Sequence, residues 1–243
     1  MFPGLEMMAA GVILASASGA DAAWCQASAP KIEVVPRMDP LQVDHSTSHL
    51  TLRNFATIEV SPYGPGAETV HQGLTRPNIG IRYDWQPGGT VRQAGAQNEV
   101  CLWYERIKID LSLSPKIYVA SEIPEGTCTY REVLAHEQKH LAVSRRVVNK
   151  YAKLIGQAVL SDITAKGWVA GPVPKEVQME TQEGLDRRLE GIVKSYFSAL
   201  EKEHEAMQKQ VDTLSEYQRV DAACPKDPPY IKQALEKAAT APR

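Results

Sequence analysis

The sequence predicts an α+β protein in which an N-terminal antiparallel β-sheet is followed by a long α-helical hairpin carrying H-E-x-x-H. Three observations predict it. From about residue 30 to residue 124 the apolar runs are short, β-branched and separated by Pro and Gly, which is strand and turn chemistry. After Gly126 no Pro interrupts the chain, and apolar residues recur at helical spacing until Gly167. Beyond "GWVAGPVP" a second polar segment with an apolar stripe supplies the returning helix.

The first residues hold an apolar and small-residue run from Met7 to Ala17 and then Ala20-Asp21-Ala22, the small-x-small form of a signal-peptidase site. Residues 1–22 are therefore expected to be an export signal, although Glu6 stands where a positive n-region belongs. Residues 23–126 follow as the β region, with strand signals in "KIEVVP", "ATIEVSPYGPG", "NIGIRYDWQPGG" and "KIYVA". The clearest strand is Cys101 to Leu113: Cys101, Trp103, Ile107, Ile109, Leu111 and Leu113 share one face, and Arg106, Lys108, Asp110 and Ser112 share the other.

Residues 127–243 form the helical part. Thr129 as N-cap with Glu132 three residues on makes a capping box, so a helix is expected from Tyr130 to Gly167. A second helix is expected from about 175 or 181 to 216, burying Leu189, Ile192, Tyr196, Leu200, Met207, Val211 and Leu214, and "YIKQALEKAA" closes the chain as a short helix.

At 243 residues and 43% hydrophobic the chain can bury a sizeable core. Its 27 basic against 29 acidic residues leave no positive excess for a phosphate backbone, so nucleic acid is not expected as a partner. No apolar run after the leader reaches the roughly 18 residues needed to cross a bilayer, so no transmembrane segment is expected in the mature chain. Four cysteines, Cys25, Cys101, Cys128 and Cys224, in an exported chain suggest two disulfides and a secreted or periplasmic location. Locality favours Cys101 with Cys128, leaving Cys25 with Cys224.

The chemistry lies in "REVLAHEQKHLAVSRR". Residues four apart on a helix share a face, so His136 and His140 can each turn one ring nitrogen toward a single ion. Glu137 projects one position round, free to act as general base and acid toward a water that a zinc ion activates. The bare pattern arises by chance in roughly one chain of this length in a hundred. Its setting, at the start of a capped helix directly after two strands, makes a metal site the stronger reading.

A catalytic zinc takes three protein ligands. The extended H-E-x-x-H-x-x-G-x-x-H is absent, since Val143 and Arg146 stand where glycine and histidine would be. If the hairpin turns near Gly171, residues 202–206 come level with the histidines, and Glu203 is the one position inside the second helix's buried stripe that is not apolar. Glu203 is thus the first choice for third ligand and His204 the second. A turn two or three residues later brings Gln208 and Asp212 level instead. His45 and His49 fall in a polar, loop-like segment, and His71 has no partner near it in sequence.

Cys101, Trp103, the strand pair, "GTCTYREVLAHEQKH" and the later "QVDTLSEYQRV" with Cys224 resemble a group of exported bacterial proteins described as secreted zinc-dependent proteases, with a zincin-like fold. The resemblance covers about residues 99–224, and only His136, Glu137 and His140 are specific within it. In that group an aspartate after an apolar residue recurs in the second helix, and Val211-Asp212 matches it, which implies Asp212 as a ligand or as partner of a ligating histidine. The histidine and glycine that commonly follow are replaced here by Leu214, Ser215 and Glu216.

The expected function is a zinc-dependent metallopeptidase acting on peptide or protein substrates, with Glu137 as general acid/base and the substrate paired to an edge strand at 116–120. The alternative is a non-enzymatic envelope or assembly protein with a structural or vestigial metal site. A structural site is closed by four protein ligands, and a catalytic one by three.

Overall fold

A computed structural model describes residues 24–55 and 71–240 of the chain, so the leader at 1–22 and the strand expected over 56–66 lie outside the described residues. The remaining strand signals form two sheets. The first contains β1 (Lys31–Met38), β4 (Ile79–Ala94), β5 (Gln97–Leu113) and β7 (Val169–Pro174). β5 lies between β1 and β4, and β7 pairs antiparallel with its Glu99–Trp103 stretch. Only Gly95 and Ala96 separate β4 from β5, a link too short for anything but an antiparallel hairpin.

Alternation along β5 behaves as expected over Ile107, Ile109, Leu111 and Leu113, all fully buried. Nearer its start Cys101 is buried as expected, but Val100, Leu102 and Tyr104 are buried too and Trp103 is only half-buried, contrary to the single-face reading. A register shift against β7 between Val100 and Leu102, and two exposed residues in succession at Glu105 and Arg106, change the phase of the strand.

The second sheet has the order β2 (Gln42–Asp44), β6 (Lys116–Val119), β3 (Gly73–Arg76). β3 is antiparallel to β6, but β2 runs parallel to it, so the sheet is mixed and not wholly antiparallel. The cause lies one step upstream. Asp39 N–H donates to Leu113 O and Gln42 N–H to Pro115 O, so the two chain segments entering β2 and β6 lie side by side and continue in one direction. β6 is therefore the central strand of this sheet, and the edge-strand role expected for residues 116–120 is not available to it.

Helix α1 (His49–Phe55) occupies the polar segment read as a loop, and its His49 is buried, with Nδ1 2.8 Å from Glu122 Oε1. His45 Nε2 lies 2.6 Å from Ile123 O. The motif helix α2 runs from Cys128 to Lys166. It starts two residues earlier than the capping box implied, because Thr127 caps it: its Oγ1 accepts from Tyr130 N–H at 3.2 Å. Thr129 instead donates its N–H and its hydroxyl to Asp227, at 2.7 and 2.9 Å. At the far end Gly167 adopts φ 77° and closes the last turn by donating to Ile163 O, the left-handed ending that glycine accommodates without strain.

"GWVAGPVP" does not simply turn: six of its residues make β7, and α3 (Gln178–Gln208) follows a short 3₁₀ turn. α3 ends eight residues earlier than expected. Residues 209–213 leave the helix, Thr213 caps α4 (Leu214–Ala223), and Leu214, expected in the buried stripe, is 41% exposed. α5 (Tyr230–Thr240) closes the described chain. No helix among the described residues is long and apolar enough to cross a membrane.

Both disulfides form, but with the other pairing: Cys25 with Cys101, and Cys128 with Cys224. Sequence locality misled, because Cys101 and Cys128 belong to different compact units. One unit comprises the described residues of 1–37, 80–112 and 148–201, and the other those of 38–79, 113–147 and 202–243. Each disulfide lies within one unit. In the second, Asp227 at the start of α2 and Cys224 at the end of α4 place the partner cysteine against Cys128. A cross-link over 96 residues restricts the unfolded chain strongly, a contribution of about 4 to 5 kcal/mol in the chain-entropy account. Replacing both Cys128 and Cys224 with serine is expected to lower unfolding free energy by about that amount in denaturant titrations. A loss under about 1 kcal/mol would show that the bond adds little to the packing there.

Candidate metal centre

The first turns of α2 carry the motif, and all its neighbours described below lie in the second unit. One helical turn of separation brings His136 Nε2 and His140 Nε2 to 3.3 Å of each other. Their other nitrogens are held from outside. His140 Nδ1 is 2.6 Å from Gln208 Oε1, an oxygen that accepts only, so Nδ1 donates to it and Nε2 is the nitrogen turned toward Asp212. His136 Nδ1 faces Glu216 Oε1 at 3.4 Å, which favours the same tautomer. Glu216 is itself fixed by Arg219 at 2.9 Å and Lys139 at 2.6 Å, and these cations, Arg219 foremost, hold its carboxyl at about 2.

The third corner is Asp212. Its Oδ1 lies 3.0 Å from His140 Nε2 and 3.2 Å from His136 Nε2. Tyr217 donates its hydroxyl to the same oxygen at 3.4 Å. Two imidazole nitrogens and a carboxylate oxygen separated by 3.0 to 3.3 Å have the spacing of ligands on one tetrahedral ion, whose edges are about 3.3 Å for bonds near 2.0 Å. The donor set and its second ring of hydrogen bonds thus fit zinc. Among the described residues no fourth His, Cys, Asp or Glu joins this group.

The electrostatics are those of one coupled cluster. Burial alone would lower the His140 imidazole, but the hydrogen bond to Asp212 and the Glu137 charge outweigh it and push it up to about 9. His136 is raised on the same balance. Burial would raise Asp212, yet its bonds to His136 and His140 bring it well below the usual carboxylate range. An ion held by these three atoms would take the place of the protons they share.

Glu137 stands apart from the three donors. It is only 5% exposed, and burial pushes its carboxyl above the ordinary value, against the pull of the His140 and His136 charges and of Thr75. His71, Gly73, Val133 and Tyr217 line a cleft of about 50 Å³ together with His136 and Glu137. His71, without a neighbour in sequence, is thus part of this region; burial, then the Arg53 charge, hold its imidazole below its ordinary value.

Glu203, the first choice for third ligand, is not in the group, and Asp212 occupies that place. The level of the returning chain explains the difference. His140 meets Gln208 and Ser144 meets His204, pairs that both centre on residue 174 and not on Gly171. The shift equals the one that brings Gln208 and Asp212 level. Asp212 also lies beyond the end of α3, so a helical phase carried through from Glu203 could not place it. His204 sits behind the donors: its Nε2 is 2.7 Å from Gln208 Nε2 and 2.9 Å from Ser144 Oγ. Gln208 in turn donates to His140 O at 3.1 Å and to Ser144 Oγ at 3.0 Å, so this layer steadies the His140 ring.

Comparisons with protein-family models, with curated proteins and with solved structures return no match.

Proposed function

We propose that this protein is a zinc-dependent metallopeptidase in which His136, His140 and Asp212 hold the ion and Glu137 is the general acid/base. The observation that carries this reading is the triangle of two Nε2 atoms and Asp212 Oδ1 beside a buried glutamate that is not one of its corners. Three protein donors, with no fourth among the described residues, is the composition of a catalytic zinc site, whereas structural sites are closed by four. Zinc there would supply a Lewis acid for the scissile carbonyl and an activated water as nucleophile. Glu137 is the group that would accept a proton from the nucleophilic water and return it to the leaving nitrogen, a task suited to a carboxyl whose affinity for protons burial has raised. An extended peptide adds to β3, which ends its sheet among the described residues and runs past Glu137; this replaces β6 as the docking strand. Two disulfides suit an oxidising, secreted or periplasmic location.

The test is hydrolysis of casein or a peptide library by zinc-loaded protein, with and without a chelator. Cleavage that the chelator abolishes and added zinc restores is the expected result. Zinc-loaded, folded protein that cleaves nothing in the library would remove the peptidase reading.

A further inference from the structure

Glu137 is held from β3, a strand of four residues in which Gly73 and Thr75 alternate with Leu74 and Arg76. Thr75 Oγ1 lies 2.8 Å from Glu137 Oε2 and 2.9 Å from Glu137 backbone O, and shares its one hydroxyl proton between them. Two residues earlier on the same face, the backbone of Gly73 approaches so closely that a Cβ there would lie 2.6 Å from Glu137 Oε1 and 2.8 Å from both Glu137 Cγ and Val133 Cγ1. One carboxylate oxygen is therefore tethered by a hydroxyl and the other abuts a position that has room for no side chain. These two contacts hold the carboxylate against β3, on the wall of the cleft that it lines. This arrangement leaves the histidine nitrogens untouched, since their partners are Gln208, Glu216 and Asp212.

We propose that Thr75 and Gly73 are positioning residues for the general base: they fix the Glu137 carboxylate against the strand to which the substrate adds. The inference rests on the peptidase reading for its chemical meaning, but its structural content stands by itself. A tethered base keeps its lone pair aimed along one line, and displacement by about 1 Å costs on the order of 10²-fold in rate. Neither residue contributes a donor to the ion, so metal binding and proton transfer are separable here.

The test uses full-length zinc-loaded protein. Thr75→Val keeps the shape and removes the hydroxyl, Thr75→Ser keeps the hydroxyl, and Gly73→Ala pushes on the other oxygen. All three are expected to retain one zinc per chain. Thr75→Val and Gly73→Ala lower kcat by about 10²-fold with KM little changed, and Thr75→Ser restores most of it. A merely structural role would lower stability or zinc content and give no such split. A crystal structure of zinc-loaded Thr75→Val or, if that variant does not fold, Gly73→Ala supplies a readout that needs no turnover. The Glu137 carboxylate should have left its place, and finding it unmoved overturns the proposal. Absence of hydrolysis in the zinc-loaded wild type would instead count against the peptidase reading, and the position of Glu137 in the variant would still decide this inference.

Discussion

Replacing Glu137 with glutamine is expected to leave one zinc per chain in place and to lower peptide hydrolysis by about 10² to 10⁴-fold, the range a positioned general base contributes. Glutamine has nearly the same shape and can still pair with the Thr75 hydroxyl through its carbonyl, so the contacts that hold position 137 survive. What it cannot do is accept and return a proton. Because Glu137 is buried and its carboxyl is raised by that burial, the neutral amide removes a desolvation cost. Folding stability is therefore expected to hold or rise while activity falls. Thermal unfolding and metal content measured on the same preparation separate this outcome from simple misfolding. A variant that keeps most of its activity would take the acid/base role away from Glu137.

Asp212→Ala has the opposite signature. It leaves two histidines and removes a carboxylate that lies within 3.2 Å of both Nε2 atoms. Two-ligand sites hold zinc poorly, and a drop in affinity of at least about 100-fold is expected by competition with a chromogenic chelator, a larger effect than the 10- to 100-fold typical of residues that only orient a ligand. Glu203→Ala, the control that the sequence itself nominates, should bind zinc as the wild type does, since Glu203 is outside the donor group. If the two variants exchanged behaviour, the third corner would have been assigned to the wrong carboxylate.

Much of this site was legible before any coordinates. Helical spacing alone brings His136 and His140 onto one face, and the capped start after two strands placed them near a sheet. The third donor was harder, for a reason visible in α3. A phase argument works only while the helix continues, and this one stops at Gln208, five residues before Thr213 caps the next. Asp212 lies in that break, and resemblance in the Val211-Asp212 pair pointed to it where periodicity could not. The residues around Glu137 had no signal at all. Thr75 and Gly73 are ordinary letters in a four-residue strand, and only the packing of β3 against α2 brings them to the carboxylate. The cysteine pairing failed for a similar cause: closeness in sequence ignores that Cys101 and Cys128 fall in different compact units. The parallel β2–β6 pair likewise depends on how two distant strands end side by side, which alternation along either one does not report.

Metal content tests the central claim most directly. Protein purified in zinc-containing buffer and then dialysed against metal-free buffer should retain one zinc per chain by elemental analysis, and none when His136 or Asp212 is replaced with alanine. Zinc-free wild-type protein, folded and with both disulfides formed, would contradict the account.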